Sequence, residues 1–430
     1  MSLALSIMLC LFGLLAFFGI PLSFATGISA LSYFLVSGES LNTVVHTFFT
    51  SINSFVLMAI PMFIFAGQIM AECQITDGII KLCDLLVGRF RGGLAQVNIL
   101  ASMFFGGCSG SALADVTGLG TVLIPAMKKN GYSEDFSAAV TVASSVQGPI
   151  IPPSIPMVIF ASVAQVSTGA LLIGGAIPGI LLGAAQMIMV YLISRKRNYR
   201  SSERKYTKAE KIKIFTTSLP AVFMPMILMG GIFFGIFTPT EAAAVAVAYS
   251  IIIGVFVYKN LTFAKLWRIG KKVARDSASI FFLIGTAGIF GWILAMAEIP
   301  DLVSTWIKAH GTNPYLLLFL INIILLFWGM IMDAAPAILI FGPILTPMVE
   351  AVGINPIHFG VVMVFNLMIG LMTPPYGLCL FSATAICDSS IGKISKEIIP
   401  FILISISVLF LVTYFPQIVM FLPKISGLAG

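Results

Sequence analysis

At 430 residues, with 59% hydrophobic and only 10% charged residues and a mean hydropathy of +1.05, the chain carries far more apolar surface than a soluble core can hide. Stretches of the roughly 20 apolar residues needed to cross a bilayer recur along its whole length. The runs are long and continuous rather than short and alternating, which excludes a membrane β-barrel and leaves an all-α polytopic membrane protein. The net charge of +7 is unevenly placed: nine basic residues fall in Arg195–Lys213 and six in Lys259–Arg275, with Arg89, Arg91, Lys128 and Lys129 in shorter loops. The positive-inside rule puts all of these on the cytoplasmic side. Nucleic-acid binding by RKRNYRSSERKYTKAEKIK is set aside because the run lies between two spans. The six cysteines form no CxxC pair and read as small packing residues rather than metal ligands or disulfides.

The first 38 residues are uncharged, so they lack the basic start of a cleavable signal. They supply two spans over about Leu3–Leu35, meeting near Pro21. Ser54–Met70 forms a third helix, with Pro61 predicted as a kink. Glu72–Gly88 is short and mixed in polarity and is expected to lie along the membrane surface, with Glu298–His310 as its later counterpart. Leu94–Met127 has basic residues at both ends and a glycine-rich middle, GGCSGSALADVTGLG. It is read as a re-entrant hairpin with its tip near Cys108–Ser111, two short core helices being the competing reading.

The stretch SSVQGPIIPPSIPMVIFAS, Ser144–Ser162, is apolar yet cannot be one helix. Pro149, Pro152, Pro153 and Pro156 remove backbone donors and push the preceding residues out of the helical region. A helix starting at Glu134 has to stop near Gly148 and restart after Pro153, running to about Val166. Leu171–Ile193 then returns to the basic loop. Phe215–Phe237 and Glu241–Tyr258 form a connecting pair whose turn, Thr238–Glu241, suits a helix start with an acid on its positive end.

From Asn366 the chain reads NLMIGLMTPPYGLCLFSA, a second break. An offset of 222 residues pairs Gly148 with Gly370, Pro152 with Pro374 and Pro153 with Pro375, and continues without a gap from Phe105 with Phe327 to Pro178 with Pro400. This is an internal duplication. The second copy starts at about Ser277 and has its own hairpin, Pro314–Met348, with a tip near Gly329–Ala335. The loop after that hairpin, Glu350–Pro356, has no Lys or Arg, so the second copy is read as upside down. The expected architecture is therefore inverted structural repeats with two re-entrant helical hairpins and two discontinuous helices. Residues 1–93 would hold N-terminal scaffold helices and a surface arm helix, 94–194 the first hairpin, broken helix and following helix, and 195–276 the basic loop and connecting helices. Residues 277–312 would hold the second scaffold and arm helices, 313–397 the second hairpin and broken helix, and 398–430 a C-terminal helix. Both termini are then periplasmic, and of 24 basic residues only Lys308 and Lys424 fall outside.

At each break the upstream half-helix ends in free carbonyls that suit a small cation, and the downstream half begins with free amides that suit a carboxylate. Candidate cation ligands are Ser109, Ser111, Asp115, Ser145 and Gly148 in the first copy, with Ser144 beside them, and Gly329, Asp333, Asn366, Gly370 and Thr373 in the second. Candidate substrate contacts are Gly148, Pro153, Ser154, Thr373 and Tyr376. Ser111 and Asp115 are four apart and share a helix face. A carboxylate inside a membrane segment is costly and usually functional; the competing reading makes each aspartate the cap of its hairpin turn. Asp333 pairs by offset with Ser111, and Asp115 with Ala337, so the two cation sites differ. Each serine could instead bond back to its own helix. The three histidines form no HExxH site, no GxxxxGK[ST] is present, and GLG at Gly118 lacks the rest of a dinucleotide fingerprint. An intramembrane hydrolase remains the different-class alternative.

AIPMFIFAGQIM from Ala59, GGCSGSALADVTGLG from Gly106, QGPIIPPS from Gln147, GIFTPTEAAAVAVAY from Gly235 and LMIGLMTPPYG from Leu367, in this order, resemble the large membrane subunit of the tripartite ATP-independent periplasmic (TRAP) transporters. The resemblance spans nearly the whole chain. It implies a Na+-driven importer of organic acids in a bacterial inner membrane, with hairpins and broken helices moving as an elevator past a fixed scaffold. It also implies two partners on separate chains, a small four-helix membrane subunit and a soluble periplasmic substrate-binding protein. C4-dicarboxylates and sialic acid are the implied cargoes, the latter favoured by likeness alone. A stand-alone sodium/dicarboxylate carrier is the alternative.

Overall fold

The computed structural model describes residues 3–73, 75–199, 206–299, 302, 305 and 313–428, without the side chains of Ile75, Thr76 and Cys108. Every regular element among them is helical. Helices α1 (Leu3–Phe17) and α2 (Leu22–Ser37) meet across Pro21, and α2 ends at Gly38 in the left-handed region, where a residue without a Cβ is at ease. Then comes α3 (Leu41–Ile52), whose Ser40 cap accepts from the Asn42 amide. Next, α4 (Ala59–Glu72) follows a short 3-10 turn. Pro61 is not a kink. It sits in the first turn of α4, where its missing N–H has no helical partner to lose. The bend lies upstream: α3 meets Val56–Glu72 at 60°, across Asn53 and Ser54.

Helix α5 (Ile75–Val87) buries Ile79, Leu82, Cys83 and Val87. The hairpin follows as α6 (Gly93–Ser109) and α7 (Ala112–Lys129), turning through Gly110 at φ 60° and the Ser111 cap. The first broken helix is α8 (Glu134–Ser145) and α9 (Ile155–Ala164). It leads into the 30-residue α10 (Thr168–Arg197). Helices α11 (Lys208–Phe233) and α12 (Pro239–Ile252) each start with a capping box, Thr207/Glu210 and Thr238/Glu241. In such a box side chain and backbone satisfy each other's first-turn donors.

Two boundaries expected from sequence are corrected. Helix α13 (Phe263–Met296) runs unbroken for 34 residues, so Lys265–Arg275 form its first turns rather than a loop, and a border at 276/277 falls inside it. After the Thr262 cap, the charged residues alternate with good helix formers and no proline intervenes. The surface arm expected over Glu298–His310 lies mostly outside the described residues. The second hairpin is α14 (Pro314–Ile331) and α15 (Ala334–Glu350), and the second broken helix is α16 (Pro356–Leu371) and α17 (Leu378–Thr384). In place of one C-terminal helix from 398, α18 (Ile391–Tyr414) begins earlier and Pro416 opens a separate α19 (Pro416–Ile425).

Helix starts at Gly93, Ala112, Glu134, Ile155 and Thr168 have counterparts at Pro314, Ala334, Pro356, Leu378 and Ile391, each within one residue of the 222-residue offset. The same offset maps Leu41 to Phe263, so α3 and α4 together correspond to α13. The bent pair has Asn53 and Ser54 at its joint, whose side chains compete with helical hydrogen bonding. The straight helix has Arg275 and Asp276 there.

Phe136–Ser145 of α8 and Ile357–Leu371 of α16 are buried throughout, so the two upstream half-helices form the centre, wrapped by both hairpins, α10 and α18. A second, smaller core joins Leu5, Met8, Phe34, Phe290 and Ile293 of α1, α2 and α13. By length and composition six described helices could cross a membrane, or seven if the bent α3–α4 pair counts as one. The hairpin arm α14 is one of the six, because 18 apolar residues meet a test of length and composition whether or not the segment turns back.

Candidate functional site

The breaks are held by backbone-on-backbone contacts that only glycine permits. A Cβ on Gly106 would stand 2.1 Å from the Gly148 Cα, and one on Gly370 would stand 2.5 Å from the Gly329 Cα. Each hairpin arm therefore touches the end of the half-helix of its own copy. By strict offset Gly329 pairs with Gly107, so the close contact is shifted by one residue between the copies. Gly107 instead faces the Pro152 carbonyl, at 3.3 Å from its would-be Cβ. Both X-Pro bonds at the breaks, Pro152–Pro153 and Pro374–Pro375, are cis.

Most candidate hydroxyls are engaged close to home. Ser145 Oγ donates to the Val142 carbonyl (2.8 Å) and Thr373 Oγ1 to that of Ile369 (2.7 Å). Ser144 receives the Ser102 hydroxyl (2.8 Å) and donates to the Thr141 carbonyl (3.1 Å), and Asn98 Nδ2 donates to Thr141 Oγ1 (2.7 Å). Ser154 caps α9, accepting from the Met157 amide (3.3 Å), and donates to the Pro149 carbonyl. Ser111 accepts from the Ala114 amide (3.4 Å), while its own amide reaches Ser109 Oγ (3.4 Å). These hydroxyl oxygens keep lone pairs, but the protons of Ser144, Ser145, Ser154 and Thr373 point into their own segments.

The two aspartates separate. Asp115 is fully buried and neither carboxylate oxygen has a hydrogen-bond partner; the Ser102 hydroxyl beside it gives its proton to Ser144. Asp333 is exposed to a cavity and caps α15, its Oδ1 accepting from the Ala334 amide at 2.8 Å. In the second copy Asn366, like Thr346 on α15, carries a buried oxygen without a partner. Its Nδ2 donates to the Asn322 carbonyl (2.9 Å) and Oδ1 (2.7 Å), and its own Oδ1 is buried without a partner. Tyr376 is 60% exposed and lies beside Phe381.

A cavity of about 120 Å³ brings together both hairpin turns, through Ser111 and Asp333, with Pro149, Pro156, Met368 and Leu371 of the broken helices. It shares Ser111, Ile155 and Ile280 with a larger cavity of about 580 Å³ between the first hairpin and helices α4 and α13. Gln68, Glu72, Lys272 and Asp276 line the latter. A third, of about 270 Å³, lies between α3, the end of α9, α13 and α15 and is lined by Thr50, Ser54, Ser162 and Gln165. Sequence patterns did not single out Asn98, Ser102, Asn322, Gln68 or Lys272. Asn322 within an otherwise apolar helix carried a signal of its own, since a polar residue at that depth needs a partner.

Non-helical backbone tolerated deep in an apolar helical protein, flanked by hairpin turns and facing a shared cavity, defines a membrane transporter of the broken-helix class. The family model for the tripartite ATP-independent periplasmic transporter, DctM component, matches residues 8–418, and the chain belongs to this family. It is thus the large permease component of a TRAP transporter, a multi-pass membrane protein and a transporter rather than an enzyme. It is 38% identical over 412 residues to the sialic acid TRAP transporter large permease protein SiaM of Vibrio cholerae, covering 96% of each chain. It is 39% identical over 415 residues to the isethionate TRAP transporter permease protein DctMQ of Oleidesulfovibrio alaskensis, covering 96% of this chain and 65% of that one. Among solved structures, the Alcanivorax borkumensis YdaH transporter, described as having an unusual topology, matches with a TM-score of 0.62 at 15% identity over 86% of each chain. That likeness concerns the fold alone.

Proposed function

We propose that this chain imports an organic anion across a bacterial inner membrane, coupled to Na+, with the cargo handed over by a periplasmic binding protein and a small membrane subunit docked alongside. The observation that carries the coupling is the buried Asp115 carboxylate with both oxygens unpaired, matched in the second copy by the unpaired Asn366 oxygen. An isolated carboxylate in so dry a place needs a counter-charge. An all-oxygen donor set of carboxylate, amide, hydroxyl and half-helix carbonyls fits a hard cation.

The two copies lie inverted in the membrane, with the basic loops cytoplasmic and both described ends periplasmic. Lys128 and Lys129 against a second loop without basic residues support this orientation. Hairpins and broken helices move together past a scaffold of α1–α4 and α11–α13. Ties between the copies support their moving as one body: the Asp388 amide donates to Glu134 (3.1 Å), Ser389 donates to Asp135, and Arg197 pairs with Glu397 (2.8 Å). The cargo anion would be held near Gly148, Pro153, Ser154, Thr373 and Tyr376.

Reconstitution of the permease with its small subunit in liposomes tests this, using sialic acid, succinate and isethionate with and without the binding protein, in sodium or in potassium. Sodium-dependent uptake of one acid only when the binding protein is present is the expected result. Uptake by the permease alone would assign it to stand-alone carriers, and uptake indifferent to sodium would remove the coupling.

A further inference from the structure

The larger cavities correspond through the 222-residue offset, yet they differ in charge. Lys272 and Asp276 of α13 line the 580 Å³ cavity, and their partners by offset, Thr50 and Ser54, line the 270 Å³ one. Thr117 in the first is matched by Leu339 in the second. Each cavity is thus walled by the scaffold segments of both copies and by one hairpin. One is rich in charge and the other carries only hydroxyls and amides.

Within the charged cavity the cations and acids are not all spent on each other. Glu72 is held by Arg268 at 2.9 Å, and Asp276 has Arg275 at 3.9 Å. Lys272 has no carboxylate within 4.0 Å among the described residues. Its Nζ donates to Gln68 Oε1 at 3.1 Å and keeps two donors free. The Gln68 amide nitrogen adds two more donors on the facing helix. Ser109 and Ser111 of the hairpin turn line the same space, and 580 Å³ is ample for a small organic acid.

We propose that Lys272 and Gln68 form an anion station on the scaffold wall, where the carboxylate or sulfonate of the cargo is received as it leaves the first hairpin turn. The site is absent from the opposite vestibule, where Thr50 replaces the lysine, so the scaffold binds the anion on one side only. This rests on the organic-anion function proposed above and adds the residues that receive the cargo on release.

Calorimetric titration of succinate, sialic acid and isethionate against the full chain in lipid nanodiscs, in sodium chloride, tests it. Lys272→Gln is expected to weaken binding of the recognised acid about five- to tenfold, the loss of one charge-assisted contact in a wet cavity. Lys272→Arg should keep it within about twofold, and Lys213→Gln, outside the cavity, should leave it unchanged. Equal affinities for the wild type and Lys272→Gln would overturn the station and leave the transport function standing. So would a loss in Lys272→Arg as large as in Lys272→Gln, which would mark packing rather than charge. No binding of any of the three acids to the wild type also overturns it, and uptake by the reconstituted complex then shows whether the organic-anion function itself survives.

Discussion

A carboxylate with no partner on either oxygen distinguishes Asp115 from every other candidate at the site. Holding a negative charge there without a counter-ion would cost several kcal/mol, so losing the carboxyl should not weaken the fold. Asp115→Asn is expected to leave thermal stability equal or higher while raising the sodium concentration for half-maximal uptake about tenfold or more, in line with the loss of one charged ligand. An unchanged sodium activation curve would take Asp115 off the ligand list. Asp333 is bound differently, its Oδ1 closing the first turn of α15. Asp333→Ala should lose about 1 kcal/mol of stability as a missing cap, read by thermal unfolding, and Asp333→Asn should restore most of it. If Asp333→Asn also keeps normal sodium activation, the negative charge at the cation site belongs to Asp115 alone.

At the scale of elements, the two hairpins are fastened to the two broken helices by glycine backbones pressed together. Adding a methyl at Gly106 or Gly370 puts it within 2.1 to 2.5 Å of backbone atoms, which cannot move aside as a flexible side chain could. Gly106→Ala and Gly370→Ala are expected to cost about 1–3 kcal/mol by overpacking and to lower uptake by more than tenfold, by misplacing the turn that carries Ser111 or Asp333. Gly270→Ala, in open space on α13, should be neutral or slightly stabilising, as alanine is in any helix interior. Uptake at the wild-type rate in Gly106→Ala would mean that the hairpin is looser than its packing indicates. The bend between α3 and α4, set against the straight α13, is the other difference between the copies. It moves Thr50 and Ser54 off the axis of α4, whereas Lys272 and Asp276 stay in line with the rest of their helix.

For the whole molecule the central expectation is that the two copies face opposite compartments. Lys128→Cys and Glu350→Cys, at the ends of α7 and α15, should react with a membrane-impermeant thiol reagent from opposite sides of intact and inverted vesicles. Labelling of both from the same side would make the copies parallel, and one vestibule could then no longer be the mirror of the other. The charge difference between the two cavities follows from Glu72 on α4 and from Lys272 and Asp276 on α13, and not from the hairpins.

Interruptions of the helices were legible in the sequence because proline and glycine act on the backbone locally. Clustered with Gly148, Pro149, Pro152 and Pro153 stop a helix in mid-course, and the recurrence of the last two as Pro374 and Pro375, 222 residues later, announced the second break, while the glycine-rich GGCSGSALADVTGLG announced a hairpin turn. Likewise the apolar content alone required a helical membrane protein, and the motif order indicated the family. What no local rule decides is which polar atoms are left over once neighbours have paired. Ser144 is spent on Ser102 and Thr141, and the Asn366 amide nitrogen on Asn322 from another helix, while the Asn366 oxygen and both oxygens of Asp115 stay unpaired. Those outcomes depend on groups brought together from distant parts of the chain, and so did the placing of Lys272 and Gln68 side by side on the wall of the larger cavity. The continuity of α13 and the first-turn place of Pro61 were settled there too, since a helix tolerates charges and an early proline when its caps and packing favour it.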